Sequence, residues 1–181
     1  MVVNWILSIK TFINDWGQAR IMSENKWITV KGSSIHNKGI FAKTDIPKGT
    51  KIIEYVGEII SNKEADKRAD RDDKNGTVYL FELDKKRTID GDVDYNTAKY
   101  INHTCDPNCE TEEDDGHIWI IAMRDIKKGE ELSYDYGFDY DVGIEHPCKC
   151  GTENCRLYIV AEDQHKKMIK HLAKLPKKIS S

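Results

Sequence analysis

The sequence lacks any apolar run that approaches the length needed to cross a membrane. Its first residues are apolar, but Lys10 and Asp15 interrupt them, and the small-residue cleavage site of a secretory signal does not follow. A basic excess is also missing: the formal net charge is -3, whereas domains that bind nucleic acid through bulk electrostatics are usually basic. We therefore expect an intracellular protein with no membrane partner and no direct nucleic-acid contact.

The cysteines do not suggest a disulfide framework. There are five of them, an odd number, and without a secretory signal free or metal-bound thiols in a reducing compartment fit better. With 181 residues, of which 39% are hydrophobic and 33% charged, the chain is long enough to bury a core without such staples. We expect one globular domain with short additions at its ends.

Three helices are predicted from the spacing of apolar residues and from capping residues. Apolar residues recur every three or four positions over residues 2–16, which predicts an amphipathic helix that packs on the domain or contacts a partner. Ser61 followed by Glu64 is a capping box and predicts a charged helix over residues 61–73. A basic amphipathic helix is predicted over residues 162–175, followed by a lysine-bearing tail.

Most of the remaining chain is predicted to form short strands. Residues 42–52 and 122–132 are two copies of the repeat A-x-x-D-I-x-K-G-x-x-[IL], and each is typical of strand, glycine turn, strand. Further strands are predicted at residues 27–30, 52–60, 77–83, 89–90, 118–123 and at the end of residues 33–42. We expect a bulge at Gly57, an acidic hairpin turn over residues 110–116 and a flexible segment over residues 140–147. This pattern predicts a mainly β fold with short helices.

A polar bend stands out at residues 98–109, which read A-K-Y-I-N-H-T-C-D-P-N-C. Little in it suits a regular helix or a sheet ladder, because residues such as Asp106 bend the backbone locally. Tyr100 should anchor the bend in the core. Asn102 and His103 on an anchored bend suit the binding of a small polar ligand.

Three cysteines near the C-terminus, Cys148, Cys150 and Cys155, form the run C-x-C-x4-C, which is compact enough to wrap one ion. Zinc usually takes four thiolate or imidazole ligands in a tetrahedron, so this run lacks one ligand. Cys105 or Cys109 could complete a closed structural site and tie the C-terminal segment to the polar bend. The alternatives are unrelated cysteines or a redox pair.

Three motifs in this order, N-H-T-C-D-P-N-C, G-E-E-L-S-Y-D-Y-G and C-x-C-x4-C, resemble the SET-domain protein lysine methyltransferases over residues 27–159. The resemblance is to a SET domain with a post-SET segment and without a cysteine-rich pre-SET segment. It implies the SET fold, with several small sheets of the β-clip type and a knot-like threading of the C-terminal part. The implied units are an N-terminal extension (1–26), a SET domain (27–140), a post-SET zinc segment (141–160) and a basic C-terminal helix and tail (161–181).

The same resemblance implies a reaction and the residues that perform it. The implied reaction is methyl transfer from S-adenosylmethionine to a lysine amine, leaving S-adenosylhomocysteine. The implied catalytic residues are Tyr136, Tyr134 and Tyr79. The implied cofactor-binding residues are His36, Lys38, Gly39, Tyr79, Asn102, His103 and Tyr136. The implied ligands of one structural zinc ion are Cys105, Cys148, Cys150 and Cys155, and Cys109 is then a buried free thiol.

The residues themselves are compatible with this chemistry. In-line displacement requires the amine nitrogen, the methyl group and the sulfur to be aligned. A dry channel beside the positive sulfur disfavours the ammonium form of the amine, so the reaction does not require a strong base. The lack of an evident strong base among the motifs fits this reaction. Tyr134 and Tyr136 lie two apart and would face one side of a regular strand. Asn37 and Gly39 permit a positive φ, so the backbone can approach a ligand. Asn37 replaces the first glycine of the family's H-G-x-G, and Lys99 stands where an arginine is usual.

The resemblance also implies partners and a product. Tyr134 favours mono- or dimethylation, since a phenol there leaves less room for a methylated amine to turn. The expected partner is a protein or peptide that presents a lysine, such as a basic histone tail, which the acidic residues 70–73 and 110–115 would suit. We expect a chromatin regulator in the nucleus if the source is eukaryotic or the protein is a secreted microbial effector, and a cytoplasmic enzyme otherwise.

Two other functions are compatible with parts of the sequence. One is a non-catalytic SET-fold module that recruits a partner through its terminal helices, and the intact Tyr136, Asn102 and His103 argue against it. The other is a zinc-containing module that binds nucleic acid through the C-terminal lysines, and the overall acidity argues against that.

Overall fold

The computed structural model describes residues 11–13, 19–21, 25–72 and 79–173. The strands are β1 (Thr11–Ile13), β2 (Ala19–Ile21), β3 (Ile28–Gly32), β4 (Lys38–Ala42), β5 (Lys51–Tyr55), β6 (Glu58–Ser61), β7 (Leu80–Glu82), β8 (Arg87–Asp90), β9 (Asn102–His103), β10 (Cys109–Asp114), β11 (His117–Ala122) and β12 (Glu131–Tyr134). The helices are α1 (Asn62–Asp72), α2 (Tyr140–Gly143) and α3 (His165–Leu172), with 3-10 turns at Thr97–Tyr100 and Glu162–Gln164. The predicted mainly β fold with short helices is confirmed.

The described strands form four small sheets, in the orders β1-β2, β10-β11-β5, β3-β4-β12-β9 and β6-β8-β7. Neighbouring strands are antiparallel, except that β9 and β12 are parallel. In that pair Asn102 lies opposite Ser133 and His103 lies opposite Tyr134. The polar bend was predicted to avoid a sheet ladder, and this is wrong over these two residues. The parallel pairing fixes the bend beside the strand that leads into Tyr136.

The two copies of the internal repeat pack against each other. Ile46 and Ile126 exchange backbone hydrogen bonds, and both side chains are buried. The Asp45 carboxylate accepts a hydrogen bond of 2.9 Å from the Lys128 backbone N–H. The equivalent Asp125 makes the same contact with the other copy at 2.9 Å. The repeat is thus a reciprocal pair that brings β4 next to β12.

Two clusters of buried side chains hold these elements together. The larger cluster lies between the sheets and contains the fully buried Ile40, Ile120 and Leu132. The smaller cluster contains Tyr140, Val160 and Met168. It packs α3 against residues 138–160, which are called the C-terminal segment below. Burial of apolar surface in each cluster contributes roughly 25 cal/mol per Å².

Several predicted elements differ from the observed ones. The helix predicted over residues 2–16 is wrong at Thr11–Ile13, which pair with Ala19–Ile21 as strands, because β-branched and aromatic residues suit a strand. The rest of that helix lies outside the described residues. The strand predicted over 52–60 is two strands, and Gly57 lies in the break between them instead of forming a bulge. Glycine is needed at this position because a Cβ would overlap the backbone carbonyl of Asp90.

The acidic and C-terminal segments also differ. The acidic residues were predicted as a turn but form β10 itself, and only Asp115 and Gly116, both with positive φ, make the turn. Residues 140–147 were predicted as flexible, but they begin with α2, which the smaller cluster holds in place. The capping box is confirmed, since Ser61 Oγ accepts a hydrogen bond from the Glu64 N–H at 3.3 Å. None of the described helices has both the length and the apolar character that a bilayer span requires.

Candidate active site

A cavity of about 610 Å³ opens between β4, the polar bend and the C-terminal segment. Among the predicted site residues, those that line it are His36, Lys38, Tyr79, Asn102, His103 and Tyr136. Two predicted site residues do not line the cavity: Gly39, which follows Lys38 in β4, and Tyr134 in β12, whose ring contacts that of Tyr136. The structure therefore brings together the loop (residues 33–42), the polar bend (residues 98–109) and the tyrosine segment (residues 129–137).

Tyr136 is held rigidly at the inner side of the cavity. Its hydroxyl donates a hydrogen bond of 2.8 Å to the Ile101 carbonyl, and its backbone N–H donates to His103 Nδ1 at 3.2 Å. Its ring centroid lies 4.9 Å from that of Tyr134, which is 9% exposed. Burial raises the pKa of both phenols, so both hydroxyls keep their protons near neutral pH. The two rings meet as predicted, although Tyr136 lies beyond the end of β12.

His103 links the cavity to the thiols. Since Nδ1 accepts a hydrogen bond from the Tyr136 N–H, the neutral ring carries its proton on Nε2, which lies 3.6 Å from Cys105 Sγ. Burial lowers the pKa of His103 to about 4, with Asp135 opposing the shift and Arg156 adding to it. The imidazole is therefore neutral near pH 7.

The side of the cavity next to the loop is basic. Lys99 Nζ lies 5.3 Å from the Tyr79 ring centroid and 5.7 Å from that of Tyr100, and Lys38 Nζ lies 4.9 Å from the Tyr100 centroid. Lys99 also pairs with Asp92 at 3.2 Å, and its side chain is 9% exposed. Two ammonium groups over one aromatic ring provide a favourable place for a carboxylate.

The wall formed by the C-terminal segment contains residues that the sequence analysis missed. The rings of Phe138 and His146 meet edge to face with 5.4 Å between their centroids, and the Phe138 centroid lies 5.7 Å from that of Tyr136. Both rings line the cavity together with Ile159. A signal was available for Phe138, because Tyr134, Tyr136 and Phe138 follow one another at a spacing of two. His146 had no comparable signal.

Gly39 and Asn37 shape the loop for different reasons. Asn37 adopts the positive φ that its residue type permits, at 37°. Gly39 was expected to use the same freedom, but its φ is not positive. Glycine fits there because a Cβ would overlap the Glu131 carboxylate and press on the Ser33 side chain.

The four predicted metal ligands form one cluster. The sulfur atoms of Cys105, Cys148, Cys150 and Cys155 all lie within 4.8 Å of one another, and Cys105 and Cys148 are 3.8 Å apart. Zinc–sulfur bonds of about 2.3 Å in a tetrahedron place sulfur atoms roughly 3.8 Å apart, so this donor set fits zinc. Cys109 lies in the larger core cluster instead, 1% exposed, and burial raises the pKa of its thiol to about 12.

Backbone groups support the thiol cluster. The Arg156 N–H donates to Cys105 Sγ at 3.3 Å, and the Leu157 N–H donates to Cys155 Sγ at 3.4 Å. A third backbone N–H, from Cys150, donates to Cys148 Sγ at 3.5 Å. Such donors stabilise negative charge on sulfur, which metal-bound thiolates carry.

The comparisons with known proteins agree with this arrangement. Residues 37–137, more than half of the chain, match the family model described as the SET domain. The chain belongs to the SET domain family. The matched residues contain the loop from Asn37 onwards, the polar bend and the tyrosine segment, so the resemblance inferred from the motifs is confirmed. The boundaries predicted for the flanking units stay predictions.

Several relatives of this SET domain are much longer proteins. Histone-lysine N-methyltransferase trr of Drosophila melanogaster is 39% identical over 159 residues, which cover 83% of this chain and 6% of the relative. Histone-lysine N-methyltransferase trithorax of Drosophila virilis is 39% identical over 138 residues, 74% of this chain and 4% of the relative. Histone-lysine N-methyltransferase 2D of Homo sapiens is 41% identical over 133 residues, 70% of this chain and 2% of the relative. The SET domain thus matches a small part of each.

Proposed function

We propose that this SET domain transfers a methyl group from S-adenosylmethionine to a lysine of a basic protein, with a histone tail as the substrate class. The observation that carries the proposal is that Tyr136, Asn102 and His103 meet at one cavity beside a cluster of four thiols. The names of the relatives, all histone-lysine N-methyltransferases, support the substrate class. Action on histones would take place in the nucleus.

The residues around the cavity suit a donor with an adenine ring and an amino-acid end. Lys38 and Lys99 would hold the carboxylate, and Asn102 would face the ammonium group. His36, Gly39, Tyr79, His103 and Tyr136 would complete the binding surface, and Phe138 and His146 offer ring faces. When bound, the sulfonium supplies the electrophilic methyl group.

The chain itself contributes positioning and the exclusion of water. Because the Tyr136 hydroxyl donates to the Ile101 carbonyl, its oxygen remains an acceptor that can orient an incoming amine. The neighbouring Tyr134 ring excludes water, and a dry site disfavours the charged ammonium form. No strong base is then needed. A phenol at Tyr134 leaves little room beside the amine, so we propose mono- or dimethylation.

Zinc would have a structural role. Cys105, Cys148, Cys150 and Cys155 would enclose one ion completely, which leaves no open coordination position for catalysis. The ion would hold the C-terminal segment, and with it Phe138 and His146, against the polar bend.

The test is transfer of label from methyl-labelled S-adenosylmethionine to core histones and to a cell lysate, followed by mass-spectrometric mapping of the modified lysines. We expect label on lysines with the wild-type protein and at least a hundredfold less with Tyr136→Phe. Absence of labelled lysines in every substrate, from a protein that is folded and contains zinc, would contradict the proposal.

A further inference from the structure

The side-chain amide of Asn102 is held by acceptors on the protein side. Its nitrogen donates to the Lys38 carbonyl at 3.0 Å and to Glu131 Oε1 at 2.9 Å, with the His36 carbonyl farther away at 3.4 Å. A primary amide has two N–H groups, so two good acceptors use both of them. The nitrogen is therefore occupied within the protein.

These contacts determine which way the amide faces. Backbone carbonyls and an ionised carboxylate accept hydrogen bonds and donate none. If the amide were turned over, its carbonyl oxygen would face the oxygens of Lys38 and Glu131 and both contacts would become repulsive. The nitrogen of Asn102 must face them, which leaves the carbonyl oxygen as the atom that the side chain offers to the cavity it lines.

Glu131 is the part of this arrangement that comes from another element. It lies on β12, three residues before Tyr134, while Asn102 lies on β9. The same oxygen, Oε1, also accepts a hydrogen bond of 2.7 Å from Ser33 Oγ, at the start of the loop. A Cβ at Gly39 would overlap this carboxylate. One side chain thus touches the loop, β4 and the polar bend.

We propose that Glu131 is a positioning residue that, together with the Lys38 carbonyl, fixes the orientation of the Asn102 amide, so that the cavity presents a hydrogen-bond acceptor to the ammonium group of an amino-acid-bearing ligand. The inference rests on the proposed function and deepens it, because S-adenosylmethionine and S-adenosylhomocysteine both carry this group. The cavity is also lined by Lys38 and Lys99, whose ammonium groups both lie over the Tyr100 ring and suit the carboxylate of the same amino-acid end. Glu131 would therefore set one half of a charge pattern that selects a zwitterion.

The decisive variant is Glu131→Gln, which keeps the shape of the side chain. A glutamine amide can donate as well as accept, so Asn102 loses its charged acceptor, and the turned-over amide, which presents its nitrogen to the cavity, is then opposed only by the backbone carbonyls of Lys38 and His36. A donor facing an ammonium group repels it. Glu130→Gln is the matched control, because the neighbouring Glu130 pairs with Arg124 on the surface, at 2.9 Å, and does not line the cavity.

Titration calorimetry would measure the affinity of each protein for S-adenosylhomocysteine and for its analogue in which hydrogen replaces the α-ammonium group. We expect Glu131→Gln to lower the affinity for S-adenosylhomocysteine about fivefold and to leave the affinity for the analogue within about twofold, because a neutral acceptor replaces a charged one, a difference of about 1 kcal/mol, while the Lys38 carbonyl still favours the original orientation. Glu130→Gln should change neither affinity.

The ratio of the two affinities separates orientation from general damage. Partial unfolding of Glu131→Gln would weaken both ligands equally, and equal weakening would overturn the proposal, as would equal affinities in the variant and the wild type. If the wild-type protein bound the analogue and S-adenosylhomocysteine equally well, the ammonium contact would be wrong while the proposed function stood. If it bound neither, the proposed function itself would fail.

Discussion

The guanidinium group of Arg156 donates a hydrogen bond of 2.6 Å to the carboxylate of Asp135. Arg156 follows the last thiol of the cluster, and Asp135 lies between the two site tyrosines. The Arg156 side chain is 7% exposed and that of Asp135 is 27% exposed. The ion pair therefore fastens the C-terminal segment to the end of β12, next to Tyr136, independently of any metal.

Arg156→Met should lower the free energy of unfolding by about 2 kcal/mol, because it removes a charge-assisted hydrogen bond and leaves Asp135 partly buried without its partner. Chemical denaturation would measure this change. Arg124→Met is the control, since Arg124 pairs with Glu130 on the surface and exposed pairs contribute roughly 0–1 kcal/mol. Equal losses in the two variants would show that the Arg156 pair has no special role.

Tyr136→Phe should lower the rate of methyl transfer at least a hundredfold and change the affinity for S-adenosylhomocysteine by less than about threefold. The variant keeps the ring that packs on Tyr134 but loses the hydroxyl that bonds to Ile101 and would orient the amine. Transfer of label and titration calorimetry would measure the two effects. A rate that stays near the wild-type value would remove Tyr136 from catalysis.

Tyr134→Phe should shift the products towards higher methylation, because loss of the phenol oxygen leaves room for a methylated amine to turn. Mass spectrometry of a lysine peptide would show mainly mono- and dimethyl-lysine with the wild-type protein and more trimethyl-lysine with the variant. Tyr95→Phe, at a tyrosine that is 41% exposed and does not line the cavity, should leave the distribution unchanged. Mainly trimethyl-lysine from the wild-type protein would contradict the prediction.

Cys105→Ser should remove zinc, whereas Cys109→Ala should keep it, because only Cys105 has its sulfur in the thiol cluster. Elemental analysis should find about one zinc ion per chain in the wild type and in Cys109→Ala. A chelator should lower the thermal midpoint of these two proteins and have little effect on Cys105→Ser. Retention of one ion per chain by Cys105→Ser would refute the assignment.

Stability should fall above about pH 10. Burial raises the pKa of Tyr55, Tyr134 and Tyr136, so these phenols keep their protons in the folded state after the unfolded chain begins to lose them near pH 10. The unfolded state then binds fewer protons, and the free energy of unfolding decreases by up to about 1.4 kcal/mol per pH unit for each phenol. Denaturation at several pH values should give a shallower decrease for Tyr134→Phe. An identical slope in the two proteins would exclude this phenol as a cause.

Local signals allowed several elements to be predicted from the sequence. The Ser61 cap, the strands and glycine turn of each repeat copy and the short apolar strands depend on neighbours within a few residues, and the structure contains them. The N-terminal helix failed at Thr11–Ile13 because a pairing with Ala19–Ile21, invisible to periodicity, overrides the spacing. The bulge predicted at Gly57 is wrong because the need for glycine there comes from the close backbone of Asp90, which is more than thirty positions away in the chain.

The residues of the site likewise separate into those that a local motif predicts and those that only a long-range contact reveals. The motifs named Tyr136, Asn102 and His103, since their order along the chain is itself informative. Glu131 and Arg156 carried no signal of their own: one is a glutamate among many, and the other is an arginine beside a cysteine. Their importance arises from what they touch, an amide in one case and a buried carboxylate in the other.

The sequence by itself determined the family, the mainly β architecture and most of the polar and aromatic residues that line the cavity, because these depend on motif order and local spacing. The residues alone left Cys105 and Cys109 open and the resemblance implied Cys105, and the tertiary structure brings only the Cys105 sulfur to the thiol cluster while Cys109 packs in the core. It also showed that the acidic residues form β10, that Phe138 and His146 line the cavity, and that the Asn102 amide donates a hydrogen bond to Glu131. Each of these depends on contacts between residues far apart in the chain, which no local pattern records.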